Sequence, residues 1–183
     1  MLILYPTETV YGLGVDALNA EELDRLYALK GRNTGKGVSW LVASIADIER
    51  YGVMGNAAAK IAERFLPGPL TLVLAAQPGV PDDVLPTDYT IGFRISSDPI
   101  ARALAAEMAA PITCTSANIS GMPTEGTVPD ILAQFSNRAS MIDRVLNGGK
   151  REGPPSTVVQ VIDDTVTIIR EGAISAADIL DTA

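Results

Sequence analysis

Residues 90–121 read TIGFRISSDPIARALAAEMAAPITCTSANISG, and the fold class follows from that stretch. Residues 90–95 form an apolar run of strand character carrying one charge, Arg94. Asp98 followed by Pro99 is an N-cap with proline at the first helical position, and it opens a helix over 100–108. A second apolar strand over 112–115 runs into the polar loop Ser116-Ala117-Asn118-Ile119-Ser120-Gly121. Strand, helix, strand and polar loop in that order form the unit of an α/β chain, whose ligands collect at strand ends.

The alternation continues in both directions. Upstream, a strand over 2–5 stops at Pro6, and the turn-rich stretch PTETVYGLG follows. Asn19, with Glu22 at N3, caps a helix whose Leu23, Leu26, Tyr27 and Lys30 keep helical spacing until Gly31 ends it. A strand over 38–43, a helix over 56–65, a strand over 70–75 and a surface loop over 78–86 come next. Downstream are a helix over 128–135 and a turn at Asn147-Gly148-Gly149. Strands over 156–162 and 166–169 then pair around Asp163-Asp164, and a short helix over 176–180 follows. The Val/Ile-rich strands predict burial on both faces, and the hairpin makes the sheet mixed. With no repeat or linker in sight, residues 1–183 are expected to form one domain of this α/β (α+β) kind.

Composition excludes whole classes of chemistry. The 183 residues are 47% hydrophobic and 20% charged, a globular balance, and the formal net charge is −8. That charge argues against an all-over nucleic-acid binder. There is no histidine and Cys114 is the only cysteine, which excludes His-based acid–base pairs, zinc fingers and internal disulfides. No run approaches ~18 apolar residues, and MLILYPTETVYG lacks a basic leader, so a cytoplasmic protein with no membrane span is expected. The chemistry must come from Lys, Arg, hydroxyls, amides, carboxylates or a borrowed metal.

Candidate residues follow from these limits. Gly12-Leu13-Gly14-Val15-Asp16-Ala17 fits the loose G-x-G-x-x-A pattern, but no helix opens directly behind it, so it reads as a glycine turn. Residues 31–37 imitate a phosphate loop yet are one residue short, with Gly37 where Ser or Thr should stand. Lys30, Arg32 and Lys36 still gather three cations in an acidic chain, either as a solvated helix end or as an anion clamp. Ser116 and Asn118 either cradle phosphate or sugar oxygens or satisfy their own turn. A charge in or at the end of a buried strand is costly unless paired, so Arg94 is the better single-residue candidate for holding a carboxylate, whereas Arg170 ends its strand and can reach solvent. Trp40 and Cys114 read as packing residues.

Seven segments, PTETVYGLG, ALKGR, FLPGPLTLVL, TIGFRISSDP, TSANISG, PSTVV and IIREGAIS, lie in the order and approximate spacing of the YrdC-like domain. Over Tyr5 to about Ser175 the chain thus resembles the threonylcarbamoyl-AMP synthase family. The resemblance implies a twisted mixed sheet flanked by helices around a concave, positively lined cavity. It implies condensation of L-threonine, bicarbonate and ATP to threonylcarbamoyl-AMP and diphosphate, with no covalent enzyme intermediate. Mg²⁺ would be carried in by ATP with no protein metal site. The partner would be a tRNA-modifying threonylcarbamoyl transferase complex, with tRNA contact as a further expectation. By motif position the catalytic set is Lys30, Arg32, Ser116 and Asn118. ATP contacts fall on Arg32, Lys36, Thr90, Ser116, Thr124 and Arg170. Threonine contacts fall on Thr7 or Thr9, Arg94, the backbone near Cys114, and Ser156. The chain departs from many members at Asn33, where they have proline, and from some at Leu41, where they have histidine. The rival reading is a non-catalytic RNA-binding or translation-associated paralogue, which the net negative charge disfavours.

Overall fold

In the computed structural model, residues 1–32 and 37–183 are described. The first half runs β1 (Ile3–Pro6), β2 (Tyr11–Gly14), α1 (Ala20–Lys30), β3 (Trp40–Leu41), α2 (Ile45–Tyr51), α3 (Asn56–Phe65), β4 (Leu70–Ala75) and β5 (Thr90–Arg94). The second half runs α4 (Pro99–Glu107), β6 (Ile112–Thr113), β7 (Thr115–Ser116), α5 (Val128–Phe135), β8 (Arg144–Val145), β9 (Thr157–Ile162), β10 (Thr165–Arg170) and α6 (Ala176–Leu180). Short 3₁₀ turns occupy Asp82–Val84 and Ser136–Met141.

The helix ends behave as their side chains dictate. Asn19 Oδ1 accepts from Glu22 N at 3.1 Å, and Gly31 closes α1 in the left-handed conformation at φ 61°. Arg32 N then donates back to Tyr27 O at 3.0 Å, so Arg32 leaves the helix at a defined angle. At α4, Asp98 Oδ1 accepts from Ile100 N at 2.8 Å and Ala101 N at 3.2 Å.

Where one mixed sheet was expected, there are two. One has the order β7-β2-β1-β8 and the other β10-β9-β4-β5-β3-β6. The expected single strand over 112–115 is the reason for the division. Its first half, β6, pairs antiparallel with β3, and its second half, β7, pairs antiparallel with β2. Cys114 sits at the crossing, with its N–H on Ser39 O at 2.5 Å, while Thr113 N donates to Val15 O at 2.9 Å. The chain therefore steps from one sheet to the other within two residues.

Two further expectations are corrected. The stretch PTETVYGLG is not all turn, since Tyr11–Gly14 is a buried strand antiparallel to β1. Its glycines serve close approach rather than a left-handed bend. A Cβ on Gly14 would lie 2.9 Å from Tyr5 Cε1, and the Tyr5 hydroxyl donates to Thr113 O at 2.8 Å. Because that ring is fully buried, Gly14→Ala should cost about 1–3 kcal/mol by overpacking. A fall in the urea midpoint at unchanged slope is the expected readout. The strand expected over 38–43 is reduced to β3, and α2, which the sequence reading missed, begins on a capping box between Ser44 and Asp47.

Nor are all strands buried on both faces. β10 is an edge strand exposed along much of its length. In β4, β5 and β9, Leu70, Leu72, Leu74, Phe93, Val159 and Val161 face the main core. The alternate positions, among them Thr71, Arg94 and Val158, turn to the opposite face and line a cleft.

Candidate active site

The cleft of about 500 Å³ lies over that second face of the larger sheet, a size usual for small-molecule sites. Thr71, Arg94, Val158 and Arg170 come from the sheet, and Thr9, Ser116 and Ser156 close over them from neighbouring segments. A second cavity of about 490 Å³, lined by Arg32, Ser116, Asn118 and Ser120 among others, shares Arg32, Thr115 and Ser116 with the first. The two are lobes of one site. Among the described residues, the lining of both contains no Asp or Glu, whereas it includes Arg32, Arg94 and Arg170. An acidic protein thus keeps a cationic, hydroxyl-rich hollow suited to anions.

Lys30 is not a free cation of this hollow. It is 2% exposed, and its ammonium donates to Ser116 O at 2.5 Å, Asn118 O at 2.9 Å and Asn118 Oδ1 at 3.4 Å. Three donors meet three acceptors, and the 116–118 loop is bolted to the end of α1. Burial, then repulsion from Arg32, lowers its pKa from 10.5 to about 8. Ser116 Oγ donates to Asn118 Oδ1 at 2.6 Å and Asn118 Nδ2 to Met122 O at 2.6 Å, so the asparagine is committed to the loop itself. Ser116 remains the residue of the pair that borders both lobes.

Arg32 also borders both lobes, with Nη2 donating to Gly37 O at 3.3 Å. Thr124 lines the larger lobe. Arg170 does so too, rather than simply reaching solvent, since its Nη2 donates to Ser156 O at 2.8 Å. Burial and then the charge of Arg94 lower its pKa. Lys36 lies outside the described residues. Thr90 is not among the residues lining either lobe. It sits at the far end of β5 from Arg94, about 13 Å away at strand rise. Its Oγ1 donates to Asp88 Oδ1 at 2.9 Å.

Arg94 is 6% exposed and finds much of its compensation inside the protein. Its Nη2 donates to Glu8 Oε1 at 2.7 Å and to Thr9 Oγ1 at 3.2 Å. Its Nη1 approaches the Cys114 sulfur at 3.7 Å. Burial alone would lower its pKa, but Cys114 and then Glu8 outweigh that and raise it, so Arg94 stays charged. Of the expected threonine contacts, Thr9, Arg94, Cys114 and Ser156 share this lobe, whereas Thr7 is buried behind it, bonding Thr9 Oγ1 at 2.9 Å.

Sequence reading missed Glu8 and Thr71. A buried arginine demands a carboxylate, and Glu8 is an acid set between two apolar runs, so the buried-charge rule could have found it. The alternation of LTLVLA already turned Thr71 away from the core, where it now shares a 2.9 Å hydrogen bond with Ser156 Oγ.

Known proteins resemble this chain in sequence and fold. The Sua5/YciO/YrdC family model, described as telomere recombination, matches residues 1–172. A Methanocaldococcus jannaschii protein, named provisionally as a threonylcarbamoyl-AMP synthase, is 38% identical over 174 residues, covering 94% of this chain and 80% of its own. The Bacillus subtilis threonylcarbamoyl-AMP synthase is 33% identical over 181 residues, 97% of this chain and 51% of its own, so this chain spans about half that relative. Pyrococcus abyssi Sua5, solved in complex with L-threonine, superposes with a TM-score of 0.90 at 32% identity over 99% of this chain and 53% of that one. With residues 1–172 matched by the family model and 99% of the chain superposed, this chain belongs to the Sua5/YciO/YrdC family.

Proposed function

We propose that this chain condenses L-threonine, bicarbonate and ATP to threonylcarbamoyl-AMP, releasing diphosphate. One observation carries the reading. A cationic cleft joins a lobe holding Arg94, Arg170 and hydroxyls to a second lobe at the Lys30-bolted loop, and Arg32 borders both. Its support from outside is the likeness to a Sua5 structure that holds L-threonine.

In this reading, Arg94 receives the threonine carboxylate, with Thr9 and Ser156 orienting the rest of the amino acid. The neutral threonine amine attacks bicarbonate carbon, giving a carbamate and water. A carbamate oxygen then attacks the α-phosphorus in line, and the bond to the β-phosphate oxygen breaks. Arg32 neutralises charge on the transferring phosphate, and Ser116 and Thr124 hold phosphate or ribose oxygens. Arg170 and Lys36 complete the nucleotide side. Mg²⁺ enters with ATP as the substrate's own cation. The arginines and hydroxyls that line the cleft suit phosphate oxygens better than a divalent ion.

The product is an activated mixed anhydride, and we propose that a tRNA-modifying transferase complex consumes it in the cytoplasm. Among the described residues, no helix is long and apolar enough to cross a membrane.

The test is diphosphate release from ATP, Mg²⁺ and bicarbonate, with and without L-threonine. Release that depends on threonine is expected. Release indifferent to threonine, or salt-dependent tRNA binding with no release at all, would favour the non-catalytic reading.

A further inference from the structure

The carboxylate of Glu8 lies behind the cleft rather than in its lining, yet it grips the one arginine assigned to the amino acid. Its Oε1 accepts from Arg94 Nη2 at 2.7 Å, and its Oε2 accepts from Ser96 Oγ. Ser96 Oγ in turn accepts from Asp98 N at 3.1 Å. Asp98 Oδ2 accepts from Arg151 Nη2 at 2.7 Å. Arg151 Nε donates to Thr7 O at 2.9 Å, the carbonyl that precedes Glu8 in the chain. The contacts close a ring, Arg151 to Asp98 to Ser96 to Glu8 and back through Thr7, from which Arg94 projects.

The ring is shielded from water. Ser96 and Asp98 are buried, and the side chains of Glu8 and Arg151 are only 15% and 20% exposed. Charges paired at that depth are held in place far better than surface pairs, and losing one partner strands the other. The ring also ties three segments together. Glu8 is on the β1–β2 turn, Ser96 and Asp98 lie between β5 and α4, and Arg151 is on the strap leading to Ser156.

Arg94 itself is fastened on one side only. Its Nε has no protein acceptor among the described residues, and Nη1 has only the soft Cys114 sulfur at 3.7 Å. A guanidinium anchored through Nη2, with its other donors weakly engaged, is preorganised for one more carboxylate.

We propose that Glu8 is a positioning residue for the amino-acid subsite: anchored by Ser96 and the Arg151–Asp98 pair, it fixes the orientation of Arg94 and so sets the affinity for the threonine carboxylate. The inference rests on the reading that Arg94 receives that carboxylate, and its test separates the two.

L-Threonine is titrated calorimetrically into the full chain, and KM for threonine and for ATP is measured in parallel. Glu8→Ala should raise the threonine Kd at least about tenfold, the scale of losing a charge-assisted bond, while KM for ATP stays within about twofold. Glu8→Gln, which keeps an acceptor without the charge, should fall between Glu8→Ala and the native protein, and it serves as the test if the alanine variant fails to fold. Because Glu8 acts through Arg94, Glu8→Ala combined with Arg94→Ala should bind threonine no more weakly than Arg94→Ala alone. Threonine affinity unchanged in both Glu8 variants overturns the proposal, as does equal weakening for ATP and threonine, the mark of a merely structural role. Arg94→Ala binding threonine normally would instead overturn the carboxylate assignment, and the role of Glu8 with it.

Discussion

Lys30→Met should cut turnover at least about 100-fold and lower stability by about 1.5–6 kcal/mol. The two halves of that expectation have different causes. A fall in pKa from 10.5 to about 8 means that burial disfavours the ammonium by about 3 kcal/mol, at about 1.36 kcal/mol per unit. Hydrogen bonds from a charged donor return about 1.5–3 kcal/mol each, so the three bonds together outweigh that cost, and their removal should destabilise the fold. Methionine fills the same tunnel. What it cannot do is hold Ser116 O and Asn118 O in place, and a site that works by alignment does not tolerate a loosened loop.

The same group gives a pH signature of opposite signs. Between pH 8 and 10.5 the unfolded chain binds more protons at Lys30 than the folded one, so this residue's contribution to stability rises with pH across that window. Activity should fall there, because the neutral amine has two N–H donors for three acceptors. Turnover and melting temperature measured from pH 7 to 10, with Lys30→Met as the reference, check both. The native protein alone should show the alkaline loss. An identical limb in the residual activity of Lys30→Met would assign it to another group.

Arg32→Ala should abolish measurable synthesis, a loss of at least about 100-fold in kcat. Arg32→Lys, which keeps the charge without the planar fork, should recover only part of it. Neither should move stability by more than about 0.5 kcal/mol, since the side chain is only partly buried. Its one side-chain hydrogen bond among the described residues is the 3.3 Å contact to Gly37 O. Diphosphate release paired with a thermal melt separates this outcome from that at Lys30. There the same loss of activity comes from a group buried in the structure, here from one poised at a junction of cavities.

Local chemistry was legible where it is settled locally. The Asn19 and Asp98 caps and the Gly31 stop are where short-range hydrogen bonding puts them. The Asp163-Asp164 turn takes positive φ at both residues, as a tight hairpin requires. β2 was illegible because Gly12 and Gly14 look the same whether a turn or an aromatic ring demands them, and only the Tyr5 ring decides. The division of 112–116 between two sheets depends on partners roughly seventy and a hundred residues away in sequence, beyond the reach of any local pattern. At the site, Lys30 and Arg32 look equivalent as cations at a helix end. Tertiary burial makes one a bolt and leaves the other a contact. Thr90 was carried over by motif position; it opens β5, whose other end carries Arg94.

The step at Cys114 has a mechanical consequence. Arg94 and Ser116 are reached from opposite sides of a single crossing whose amides are clamped to Val15 and Ser39. The strand that carries Ser116 is thereby anchored to both layers, and the two lobes share one frame.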